Sequence, residues 1–156
     1  MTRSEIHDSF SRRFGSEDER LLVAPAEIGK IETQFNVQLP ASYCEFMEKQ
    51  GAIQCPRLLF QIVDQKADLW PIACFWHLED IIADTSLYIH GGMSAKLVGF
   101  ASDSMGNLFG FDRAEISVKK DDAQVWFFDH DFCEVSVLAK TFDSWLECYL
   151  NLKDPA

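Results

Sequence analysis

The chain has 156 residues, of which 47% are hydrophobic and 25% charged, and its formal net charge is −11. Such a length and composition suit a folded chain with its own core and exclude intrinsic disorder, and no apolar run approaches the roughly 18–20 residues of a membrane-spanning helix. With 25 acidic against 14 basic residues, the chain is also unsuited to nucleic acid, whose binders neutralise phosphates with Lys and Arg, and to an anionic membrane surface.

No internal repeat, low-complexity tract or Pro/Gly/Ser linker interrupts the chain, so one domain over residues 1–156 is expected. Ile6, Phe10 and Phe14 fall at i, i+4 and i+8 and predict a helix within residues 1–14, broken by the polar stretch 15–20. Pro25 suits the first position of a second helix, whose inward residues are Ile28, Ile31 and Phe35 and whose stop is Asn36. Leu39-Pro40 opens a third, with Tyr43, Phe46 and Met47 inward and Gly51 as a left-handed terminator.

From residue 58 the pattern changes. Residues 58–63 read as a strand, residues 68–70 as the start of another, and residues 77–84 as a short helix over Leu78, Ile81 and Ile82. Residues 96–101 and 108–112 read as hairpin partners around the turn 102–107, and residues 124–128 as a further strand. Residues 133–137 form a short edge strand in this reading. Thr141 is a credible N-cap for a closing helix, in which Phe142, Trp145, Leu146, Tyr149 and Leu150 make a wide apolar stripe. Helices at both ends of hairpin-linked strands predict an α+β fold: a twisted antiparallel sheet with the N-terminal helices and the C-terminal helix packed on it.

Several segments carry residue types used in catalysis. Ser102-Asp103-Ser104-Met105-Gly106 is one residue short of the nucleophile-elbow pattern, but a strand and not a helix follows it. A hairpin turn is the better account, with Asp103 and Asn107 bonding the turn backbone and Gly106 at positive φ. Asp129-His130-Asp131-Phe132-Cys133 gathers metal-ligating types, yet in an extended strand His130 would face away from Asp129, Asp131 and Cys133. The adjacent pairs Glu79-Asp80 and Asp121-Asp122 do not make the separated carboxylates of a glycosidase. No enzymatic centre, metal or cofactor is therefore expected, and a small hydrolase or metal enzyme is the least favoured class.

The five cysteines are odd in number, widely spaced and set among apolar neighbours, so they are expected free, in a reducing compartment. Residues 1–8 lack the apolar core of a secretory signal, and the cytoplasm is the expected location.

Three segments together resemble one family. Ile28-x-x-Ile31-Glu32-x-x-Phe35-x-Val37-x-Leu39-Pro40-x-x-Tyr43-x-x-Phe46, ending at Gly51, is similar to the amino-terminal signature of the SUKH superfamily, which includes fungal Smi/Knr cell-wall regulators and bacterial immunity proteins. The hairpin around Asp103 and Gly106-Asn107 is similar to the family's central hairpin. Val125-Trp126-Phe127-Phe128-Asp129-His130 followed by Thr141-Phe142-x-x-Trp145-Leu146 resembles its penultimate strand and closing helix, with Trp145 where Phe is usual. The match spans residues 26–150, with residues 1–20 as an N-terminal helical extension, and residues 58–92 fit least well.

The resemblance implies a non-enzymatic binding protein. Bacterial members look like immunity proteins that neutralise toxins, often nucleases, and a basic toxin domain suits this acidic chain. The alternative is a regulatory or scaffold adaptor with an endogenous protein partner. Candidate partner-binding residues are Asp103, Asp121, Asp122, Asp129 and Asp131 on loops at the sheet ends, with Trp70 and Trp76 as anchors, since exposed Trp is enriched at interface hot spots. A monomer, or a weak homodimer through the edge strand 133–137, is expected.

Overall fold

The computed structural model describes residues 1–17 and 23–154. The polar break expected at 15–20, and the end of the 1–20 extension, lie partly outside them. Thr2 caps α1 (Arg3–Phe14) in a reciprocal capping box with Glu5, and Ile6, Phe10 and Phe14 are buried as their spacing predicts. In α2 (Pro25–Phe35), Pro25 holds the first helical position and Asn36 ends the helix at φ 53°. The Glu32 carboxylate accepts the backbone N–H of Leu39 at 2.8 Å, which fixes the turn into α3 (Ala41–Lys49). Gly51 closes that helix at φ 78°, its N–H on the carbonyl of Met47.

Residues 58–63 correct the sequence expectation. They form a helix, α4 (Leu58–Gln65), and not a strand. A short apolar run has no period of its own to separate the two. Here Leu58 and Ile62, one helical turn apart, are buried, while Leu59, Phe60 and Val63 face outward. No strand begins at 68–70; among the described residues the first is β1 (Cys74–Phe75). The next helix, α5 (Leu78–His90), runs six residues past the expected Asp84.

The rest is an antiparallel meander: β2 (Leu97–Ser102), β3 (Leu108–Asp112), β4 (Val125–Asp129) and β5 (Glu134–Ala139), in spatial order β1-β2-β3-β4-β5. β5 thus starts one residue later than expected and ends two later. A 3₁₀ turn at Glu115–Ser117 links β3 to β4, and α6 (Phe142–Leu150) follows β5 with Thr141 as its N-cap. The fold is α+β with an open five-stranded sheet.

Helices cover both faces of the sheet. On one, Phe142 of α6 meets Tyr43 and Phe46 of α3 and Phe100 and Phe111 of the sheet, Trp145 lies against Phe109, and Phe10 of α1 meets Phe75 and Tyr149. On the other, Thr85 of α5 accepts the N–H of Gly99 at 3.1 Å, and Tyr88 meets Trp76 and Phe128. Trp126 of β4 is half-buried, with the Lys96 ammonium 3.7 Å above its ring. Among the described residues, no helix is long and apolar enough to cross a membrane.

Candidate protein-interaction surface

Antiparallel order puts the β2–β3 and β4–β5 turns at the same end of the sheet. In the first, Asp103 Oδ1 accepts the N–H groups of Met105 at 2.8 Å and Asn107 at 2.9 Å, and Oδ2 accepts the Asn107 side-chain amide at 2.8 Å. Gly106 takes φ 88°. This is the turn that the sequence predicts, and it leaves the Met105 side chain 64% exposed. Asn107 Oδ1 then accepts the N–H of His130 at 3.0 Å, tying the two turns together.

In the second turn, the strand ends at Asp129, whose Oδ1 accepts the N–H of Asp131 at 3.0 Å. The alternation expected over 129–133 therefore stops, and ligating atoms of Asp129, His130 and Asp131 come within 4.8 Å of one another. Cys133 turns at φ 51°, and Phe132 projects outward, 74% exposed. Across the ladder Asp129 lies opposite Glu134, and directly opposed like charges are repulsive. Among the described residues no Lys or Arg lies within ion-pair distance of Asp129, Asp131 or Glu134; only the His130 imidazole approaches, 3.5 Å from Asp131.

The other end of β4 is the reverse case. Arg3 grips Asp121 with two nitrogens, at 2.7 and 3.0 Å, and Asp143 at 2.7 Å. The guanidinium holds the Asp121 carboxyl below its ordinary value. Burial alone would raise Asp143, but hydrogen bonds from His7 and Arg3 outweigh it and hold that carboxyl down. Asp122 goes the other way, pushed up by burial. It accepts from the Ser42 hydroxyl at 2.7 Å and from the N–H groups of Phe142 and Asp143 at the start of α6.

The predicted site residues thus part company. Asp103 and Asp122 are spent inside the fold, and Asp121 is neutralised by Arg3. Trp76 is buried, with its indole N–H on Ser102 Oγ at 3.0 Å, so it offers no anchor. Trp70 is 40% exposed and stacks on Phe127 at 4.4 Å, on the face and strand that also carry Asp129. Asp129 and Asp131 have no Lys or Arg within ion-pair distance among the described residues, and the exposed Met105 and Phe132 lie in the same two turns. Sequence reasoning missed these two: both sit in turns, where no periodicity assigns a side chain to core or solvent. Ser104 lies in a strand–turn–strand, without the helix that an elbow requires.

An open antiparallel meander with helices on both faces defines an α+β protein, and Asp129, Asp131 and Glu134 lie together at one turn end of its sheet. The chain belongs to the SMI1/KNR4 family (SUKH-1), whose model it matches over residues 22–148. No curated protein matches it. Membership supports, at the level of the family, an immunity-protein or Smi/Knr-like role that works through protein–protein interaction.

Proposed function

We propose that this protein is an immunity protein that binds and neutralises a basic toxin domain, such as a nuclease, in the cytoplasm, using the turn end of its sheet. The observation that carries the reading is the pairing of Asp129 with Glu134, beside Asp131 and, among the described residues, without a Lys or Arg in ion-pair distance. The fold tolerates that repulsion, and a cationic partner would relieve it. A nuclease must itself display positive charge to hold phosphates, so it has the complementary surface. The carboxylates would speed encounter, and Met105, Phe132 and Trp70 would lengthen the life of the complex once desolvated. The reading needs no cofactor and treats residues 1–156 as one domain.

The test is co-expression with the toxin encoded beside this chain, followed by binding kinetics at low and high salt. Protection and a complex are expected. Asp129→Asn with Asp131→Asn should slow association about tenfold at low salt, within the range of electrostatic steering, and flatten its salt dependence. Phe132→Ala with Met105→Ala should instead speed dissociation. A lack of protection and of complex sinks the proposal. Capture of an endogenous host protein in place of the toxin would give the adaptor reading.

A further inference from the structure

We propose that β5 pairs antiparallel with β5 of a second copy, joining two five-stranded sheets into one of ten strands. β5 is the last strand of the sheet. Among the described residues, no backbone group of 134–139 bonds to any element but β4. Alternate N–H and C=O groups along its outer edge are therefore open. Exposed edges are normally blunted by Lys, Pro or an inward charge. From Val135 to Ala139 the strand has none of these, and Val137 is 42% exposed.

The strand complements itself. With the two-fold axis at Ser136, Val135 of each copy lies directly opposite Val137 of the other. Val135 stands across from Phe128, and Val137 from Trp126, in the ladder with β4. Self-pairing thus runs one apolar row across the junction: Phe128, Val135, then Val137 and Trp126 of the second copy. Cross-strand β-branched and aromatic neighbours of this kind stabilise sheets. Charge fits as well. Glu134 opens the strand and Lys140 follows its end, both exposed, with no ion pair at either among the described residues. Antiparallel pairing brings Glu134 of one copy to the end of the ladder where Lys140 of the other emerges, twice over by symmetry. A parallel arrangement would set Glu134 against Glu134. The bulge between β4 and β5, near Leu138, ends the regular ladder just beyond these pairs.

The two turn ends then lie at opposite sides of the junction, and Asp129 and Asp131 stay open on each copy. Val137 and Lys140 lie outside the turn surface, whereas Glu134 borders it, so Val137→Lys and Lys140→Glu test the dimer independently of the toxin reading.

The test is sedimentation of the purified full chain across micromolar to millimolar concentrations. A monomer–dimer equilibrium is expected. Val137→Lys should abolish it with the circular dichroism unchanged. Lys140→Glu or Glu134→Lys alone should each weaken the dimer about tenfold, since both symmetric pairs become repulsive. The double charge swap should restore it. A chain that stays monomeric throughout overturns the proposal. So does a dimer that survives Val137→Lys, or a charge swap no better than the single reversals.

Discussion

Asp122 accepts the backbone N–H of Phe142 at 2.8 Å, so a side chain just before β4 closes the start of a helix twenty residues further on. The same carboxylate takes the N–H of Asp143 at 3.3 Å and the hydroxyl of Ser42 at 2.7 Å, joining α3, β4 and α6. The first N–H groups of a helix have no partner within it. Removing such an acceptor costs about 1–2 kcal/mol, and more where the donors stay buried. Asp122→Ala should therefore lower the unfolding free energy by about 2 kcal/mol in urea titration, while Asp122→Asn, which keeps one acceptor oxygen, should lose less. Equal stability of the alanine variant and the parent would show that water serves the helix as well.

The Arg3 cluster predicts how stability responds to acid. Asp121 and Asp143 are held below the ordinary carboxyl value of about 4. Groups depressed in the folded state contribute stability above their unfolded value, and that stability is lost as pH falls through the folded values. Asp122 is raised by burial and works in the opposite sense in the window just above that value. Arg3→Met removes the guanidinium from Asp121 and Asp143, so it should destabilise the chain at neutral pH and much less at about pH 2, where the carboxylates are protonated in either case. Urea midpoints of the parent and variant should converge as pH falls. Parallel curves would mean that Arg3 contributes by packing alone.

What the sequence disclosed and what it hid divide along physical lines. Phe142, Trp145 and Tyr149 declare a buried stripe by spacing, and all three are buried. Pro25, Asn36, Gly51, Asp103 and Gly106 declare turns and caps by backbone chemistry, and each takes the conformation or bonds expected of it. The run 58–63 misleads because α4 is apolar on its outward side too, with Phe60 67% exposed. Its end at Lys66, at φ 51°, carries no glycine to mark it. For the site, residue type proposed seven candidates, but whether a carboxylate is free depends on distant partners. Arg3 lies 118 residues from Asp121, and no local pattern could announce that pair.

Asp129 faces Glu134 across the ladder, and this arrangement predicts effects of opposite sign on stability and on binding. Opposed like charges cost a strand pair a few tenths to about 1 kcal/mol. The bond from the Asp131 N–H to Oδ1 is one that an asparagine oxygen can also accept. Asp129→Asn should raise the urea midpoint slightly, by less at high salt, while slowing capture of the basic partner. A variant that is less stable would show that the carboxylate has a structural task here.

Two glycines should respond oppositely to one added methyl. In β3, a Cβ on Gly110 would stand 2.5 Å from the carbonyl oxygen of Val98, a backbone atom of the paired strand β2. Relief requires the two strands to move apart, and overpacking of this kind costs about 1–3 kcal/mol or more. Gly29 lies in the middle of α2, exposed, with nothing within 4 Å of the added carbon. There the substitution chiefly removes backbone freedom from the unfolded chain and should stabilise by about 0.5–1 kcal/mol. Thermal unfolding of Gly110→Ala and Gly29→Ala should accordingly move to either side of the parent. If Gly110→Ala unfolds at or above the parent temperature, β2 and β3 are not packed as closely as their paired backbones require.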